Sequence, residues 1–320
     1  MPHALGPHLK MENSTGSEES KSIRFLLCTS RSSGSHWVSL SVANFFFSLT
    51  AFVGNTLILV ALNKDTSLHP PSKLLYRCLA TTDLLVGLIA QPSIGLYFTL
   101  LVTGHRLTHL CFYVAVISTF SFTILTAVSL QTMTAITVDR LLALSLGVRY
   151  RHIVTLRRVR ALVIFFCITS IAFASMSFLK YTIPKSYNYT LISLCILISV
   201  FCFSKIFREL RHQQAQITGD TQDGRTKGEG SSLNVARYKK TVYTAMWVEV
   251  ILVACYLPYC LTTPFIVSLG SSTLRNVFWS YSATLVLVNS SLNPIIYCWK
   301  IIGVRQEVRK TIRQLLCLSS

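Results

Sequence analysis

Apolar residues in this chain come in long blocks separated by short polar stretches. Seven blocks fall at roughly 37–62, 74–101, 110–143, 158–179, 190–211, 237–269 and 276–299. Each reaches the length of about 20 residues that a helix needs to cross a bilayer. Hydrocarbon satisfies no backbone N–H or C=O, so each block is predicted to be a helix. Trp37 to Leu62 contains no charge at all, and the third block closes on Asp139-Arg140. Residues 212–235 are polar and Gly-rich and read as a flexible loop. Residues 301–316 set Ile301, Ile302, Val304, Val308, Ile312, Leu315 and Leu316 near one stripe, with Arg305, Arg309, Lys310 and Arg313 filling much of the rest. That is a basic amphipathic helix suited to lie on a leaflet. The expected fold class is an all-α membrane protein, a seven-transmembrane helix bundle with a short amphipathic eighth helix. The expected divisions are an N-terminal tail 1–36, a bundle 37–300 and a tail 301–320.

Composition agrees. Only 13% of the 320 residues are charged and 51% are hydrophobic, whereas a soluble domain carries about 25% charged residues. The net charge of +18 is gathered in short segments between the blocks, as topology control requires, and does not call for a nucleic-acid partner. Arg149, Arg151, Arg157, Arg158 and Arg160 lie between the third and fourth blocks, and Lys300, Arg305, Arg309, Lys310 and Arg313 follow the seventh. The alternate loops hold only Arg106, Lys180, Lys185 and Arg275. The N-terminus is therefore expected outside and the C-terminus in the cytoplasm of a plasma-membrane, multi-pass protein. Residues 1–36 have no apolar core beside a small-residue cleavage site, so the first block is expected to act as the insertion signal. Asn13-Ser14-Thr15 and Asn188-Tyr189-Thr190 are glycan candidates on the outer side. Most of the ten cysteines lie within the blocks and read as buried thiols. Cys317, just after the amphipathic helix, is either a palmitoylation site or an ordinary cysteine.

A charge inside a bilayer costs about 2.5–3.5 kcal/mol even on lenient scales, which makes Asp83, Asp139, Arg140 and Glu249 functional candidates. Asn55, Ser129, Asn289, Ser290 and Asn293 stand where they can converge on Asp83. Such a ring of oxygens suits a hard monovalent cation, or serves only to hold helices together. Pro92, Pro258, Pro264 and Pro294 interrupt blocks and mark either hinges or static kinks.

The pattern resembles the rhodopsin-like (class A) family of G-protein-coupled receptors. The resemblance covers about residues 37–317. It is carried by Gly54-Asn55, Leu79-Ala80-Thr81-Thr82-Asp83, Asp139-Arg140-Leu141, Cys255-Tyr256-Leu257-Pro258 and Asn293-Pro294-Ile295-Ile296-Tyr297, one in each expected block and in the expected order. It implies a receptor that binds an extracellular ligand and activates a heterotrimeric G protein, with no enzymatic activity and no cofactor beyond an allosteric sodium ion. It also implies roles. Arg140 would pair with Asp139 at rest and swing to the G protein. Phe203 and Tyr297 would repack beside it. Tyr256 would be the switch below the ligand, and the sixth helix would move about Pro258. Asp83, Ser129, Asn289 and Asn293 would hold sodium.

The chain departs from the family's pattern in several places. The fourth block lacks the usual Trp and the fifth the usual Pro. The outer loop at about 180–189 has no cysteine, so the family's usual bridge to the third helix cannot form. Cys28 and Cys111 are the outward cysteines, in an oxidising space, and form the candidate bridge. Tyr238 stands where many relatives carry an acid that locks the arginine, so raised basal signalling is expected. These features look like the melanocortin, cannabinoid, lysophospholipid and adenosine branch. The outer half of the third block, Thr119 to Thr123, holds no acid to pair with a protonated amine, and Phe278 to Tyr297 holds no lysine for retinal. The expected pocket includes Phe122, Thr123, Tyr259, Thr262 and Tyr281, a wall for a lipid, small neutral molecule or peptide. A transporter would show repeated halves with broken helices, and an enzyme a nucleophile–base set or metal ligands inside the spans; neither is visible.

Overall fold

A computed structural model describes residues 34–64, 68–103, 108–176, 182–222, 250–262, 272–300 and 302–315. Its helices are α1 (Ser35–Lys64), α2 (Pro70–Thr103), α3 (Thr108–Leu146), α4 (Leu156–Ser175), α5 (Thr182–Gln222), α6 (Val250–Thr262), α7 (Ser272–Lys300) and α8 (Ile302–Leu315). A short helix, Tyr150–Ile153, sits between α3 and α4. Among the described residues five helices, α1 to α5, are long and apolar enough to cross a bilayer. The predicted all-α bundle is thus the observed one.

Burial explains the arrangement. On α1, Trp37, Leu40, Asn44, Ala51, Asn55, Ile58 and Leu62 are buried at steps of three to seven residues, one stripe of a 3.6-residue helix. Val38, Val42, Phe46, Leu49 and Val53 face out. A water-soluble protein does not leave such a face bare, and lipid covers it without cost. In α3, residues 121–134 are buried except Ile124, which makes this helix the central post. It packs on α2, α4 and α5, while α1 packs on α2, α7 and α8. Tyr187 of α5 stacks on Phe173 of α4, centroids 4.0 Å apart, and accepts a hydrogen bond from Gln131 Nε2 of α3 at 3.2 Å.

Two helices carry local irregularities. Pro70 and Pro71 start α2, where a missing N–H has no consequence. Pro92 lies just after a π-helical turn at Val86–Ala90, in which Gln91 N–H reaches back five residues to Val86 O. Gly87 within this turn lies against the α1 backbone, and its carbonyl accepts from Ser48 Oγ at 2.7 Å. Gly147, with φ 51, is the left-handed residue that lets the chain leave α3.

Two sequence boundaries move. Helix α5 begins at Thr182 and runs to Gln222, so it includes residues 182–189, read as outer loop, and residues 212–222, read as inner loop. Pro184 lies in the first turn, where proline is compatible with a helix. The polar stretch Thr182–Tyr189 hid this turn because period and apolarity are weak there. Asn188 lies inside α5 and is only 5% exposed. A glycan needs a solvent-facing loop asparagine, so the expected modification at Asn188 does not fit this fold. Asn13 lies outside the described residues, as do Cys28, Cys317, Tyr238 and Glu249.

Candidate functional site

Three polar or aromatic clusters lie along the bundle axis. The first is at the end that carries Arg140. Asp139 is buried, and both its oxygens are taken: Ser72 Oγ of α2 donates to Oδ2 at 2.8 Å, and Tyr150 Oη donates to Oδ1 at 2.6 Å. The two hydroxyls lie 3.2 Å apart, and the His69 ring lies 5.4 Å from that of Tyr150. Burial and the bond to Asp139 push the Tyr150 phenol up to about 12, so it remains a donor at neutral pH. Arg140 takes another direction. Its Nη2 donates to Tyr76 Oη at 3.3 Å, and the guanidinium lies 5.6 Å from the centroid of that ring. The expected Asp139–Arg140 ion pair is not formed. Lys310 and Glu307 of α8 do form an ion pair, at 2.7 Å. The reason is helical: adjacent residues project about 100° apart, and Ser72 and Tyr150 meet Asp139 on its own side.

The second cluster is at mid-bundle. Asp83 is fully buried and accepts from Asn293 Nδ2 at 2.6 Å and from Ser129 Oγ at 3.0 Å, with Ser290 as a further donor. Asn55 Nδ2 donates to Ser290 O at 3.0 Å, and Asn289 Nδ2 points to Met133 Sδ at 3.3 Å. The amide oxygens of Asn55, Asn289 and Asn293 are buried without a donor. A carboxylate with buried amide oxygens on the helices around it is the donor chemistry that a hard cation takes. Of the predicted set, Asp83, Ser129 and Asn293 meet directly while Asn289 turns its amide nitrogen to Met133; the oxygen-rich donor chemistry fits sodium. Gly54 presses on the neighbouring proline: a Cβ there would stand 2.8 Å from Pro294 Cγ.

The third cluster lies toward the Cys111 end. Phe122 of α3, Tyr189 of α5, Tyr259 of α6 and Trp279 of α7 meet, with Tyr259 centroids 5.7, 5.1 and 6.4 Å from Phe122, Tyr189 and Trp279. Phe122, Thr123, Tyr259 and Thr262 are buried at this end of the bundle. Tyr281 is 45% exposed and turns outward, so it does not belong to the expected pocket wall. Tyr189 and Trp279 were missed. Tyr189 was hidden in the stretch read as loop, and Trp279 differs from lipid-facing aromatics only in its helix face. Tyr256, one turn from Tyr259, is buried, and Pro258 is half-buried. Phe203 is half-buried on α5, and Pro294 is inside α7. The Tyr297 side chain lies outside the described part.

A central post with a half-buried arginine at one end, a polar cluster at mid-bundle and an aromatic cluster at the other end is an arrangement suited to a membrane receptor. The chain belongs to the 7 transmembrane receptor (rhodopsin family), whose model matches residues 54–196 and 182–297. It is a G-protein-coupled receptor of multi-pass membrane architecture, not an enzyme. It is similar to melanocortin receptor 5 of Mus musculus, 25% identical over 284 residues covering 84% of this chain and 81% of the relative. Melanocortin receptor 5 of Rattus norvegicus is 25% identical over 279 residues, with 84% and 81% covered.

Proposed function

We propose that this receptor sits in the plasma membrane with residues 1–36 outside, residues 37–300 as the bundle and residues 301–320 in the cytoplasm. Its ligand is a lipid, small neutral molecule or peptide. The observation that carries the ligand class is the four-helix aromatic cluster of Phe122, Tyr189, Tyr259 and Trp279, bordered by the hydroxyls of Thr123 and Thr262. A neutral or amphiphilic ligand buries apolar area there while the hydroxyls orient it. The Arg140 end faces the heterotrimeric G protein. Arg305, Arg309, Lys310 and Arg313 of α8 are exposed while Val308 is buried, an arrangement suited to anionic lipid headgroups.

The test is nucleotide exchange on purified heterotrimeric G proteins by the receptor in lipid nanodiscs, combined with a ligand-library screen. Exchange above the receptor-free rate, raised by neutral or amphiphilic hits, is the expected result. A library in which only protonated amines are active would overturn the ligand class. Antibody access to terminal tags on intact cells tests the orientation: only the N-terminal tag should be reached.

Sodium at Asp83 would hold the resting arrangement by drawing Ser129, Asn289 and Asn293 together. Exchange should therefore fall when sodium replaces N-methylglucamine, and Asp83→Asn should remove that dependence. A variant that keeps full sodium sensitivity would refute the assignment. Tyr150→Phe tests the first cluster. It deletes a buried donor to a carboxylate, an interaction that contributes about 1.5–3 kcal/mol. Asp139 then keeps Ser72 alone, and basal exchange should rise several-fold; an unchanged or lower basal rate counts against the Tyr150 bond as a resting-state restraint.

A further inference from the structure

Cys111 is disulfide-bonded. Six of the ten cysteines, Cys78, Cys167, Cys195, Cys202, Cys255 and Cys260, are outside any disulfide. Three others remain in the sequence: Cys28, Cys298 and Cys317. Position along the bundle separates them. Cys111 is the fourth residue of α3. It precedes Asp139 by 28 positions (139 − 111), about 42 Å at 1.5 Å per residue. Helix α7 runs from Trp279, beside Phe122, past Asn293, beside Asp83, toward the Arg140 end. Cys298 falls in its last turn, and Cys317 follows α8. A disulfide needs Cα atoms within about 7 Å, which excludes both. Cys28 is left.

We propose that Cys28 and Cys111 form one disulfide, which straps the N-terminal tail over the end of α2 to α3. The reach agrees. Cys28 precedes Ser35, the first residue of α1, by seven positions (35 − 28), a span of at most about 24 Å when extended. From α1 across α2 to α3 is two helix spacings, roughly 16–20 Å. The strap is thus long enough with little slack. The α4–α5 connection at this end, residues 177–181, offers no cysteine. The strap would join the tail to α3 at the end where the cysteine-free α4–α5 loop offers no bridge. Both thiols face the oxidising compartment during synthesis. Each loses one proton and one electron to an oxidised dithiol carrier, which leaves reduced as the S–S bond forms.

The test is peptide mapping of the full-length receptor, with free thiols alkylated and no reductant, after trypsin. Phe25–Arg31, which carries Cys28, should be found joined to Leu107–Arg140, which carries Cys111, and released by reductant. Alkylation of both residues, or Cys111 joined to another cysteine or to a second copy, overturns the proposal. Cys28→Ser, Cys111→Ser and the double variant should lower the unfolding temperature of the detergent-solubilised receptor equally, because each breaks the same bond. Additive losses would overturn it too. Neither readout depends on the ligand or the G protein.

Discussion

Gly87→Ala is expected to abolish delivery of folded receptor to the cell surface. A Cβ at this position would stand 2.8 Å from Phe52 N and 2.9 Å from Ser48 O. These are backbone atoms of α1, so no rotamer change relieves the contact. Relief requires α1 and α2 to separate, which breaks the 2.7 Å bond from Ser48 Oγ to Gly87 O and loosens the interface below it. Overpacking commonly costs about 1–3 kcal/mol and more when backbone must move, and a native state is worth only about 5–15 kcal/mol. Gly95→Ala is the control. Its Cβ would meet the Phe45 ring at 3.2–3.3 Å, and Phe45 is 46% exposed and free to lean toward lipid. Surface labelling and the unfolding temperature in detergent measure both. Equal behaviour of the two alanine variants would show that the α1–α2 approach is not the constraint it is taken to be.

Arg140→Ala should eliminate nucleotide exchange while leaving surface delivery near normal. Arg140 is half-buried, its Nε has no partner, and its one protein hydrogen bond, to Tyr76, is long at 3.3 Å. A guanidinium with five donors used so sparingly stabilises the resting fold little and retains capacity for an incoming acceptor. One charged hydrogen bond to the G protein contributes about 1.5–3 kcal/mol, roughly ten- to a hundredfold in the active complex. Arg140→Lys separates charge from shape. It keeps the cation but loses the planar group over the Tyr76 ring, so exchange should recover only in part. Undiminished exchange by the alanine variant would remove Arg140 from the coupling surface.

The resting end of α3 looks different once Asp139 is seen with Ser72 and Tyr150. Asp139 accepts from two neutral hydroxyl donors there and makes no ion pair with the neighbouring arginine. Arg140 is thereby released from Asp139 without a change in charge at either group.

Much of this protein is written in one dimension. Lipid demands apolar runs of fixed length and helical hydrogen bonding, so block lengths alone determine the number and type of elements. Basic loops follow from the same solvent. Buried polar residues are so costly that Asp83, Ser129, Asn289 and Asn293 stood out before any fold, and the bundle brings Asp83, Ser129 and Asn293 into direct contact. The tertiary structure alone decided the rest. Ser72 and Tyr150 are ordinary polar residues near helix ends, and only the packing of α2 and the short helix on α3 turns them toward Asp139. Tyr189 and Trp279 join the aromatic cluster, and Tyr281 is left exposed, because helix rotation about its axis sets which aromatic points inward. Asn188 is buried within α5 because that helix begins at Thr182, about two turns earlier than apolarity suggests. In each case the deciding quantity is a distance between helices, which a linear pattern of apolar and polar residues does not contain.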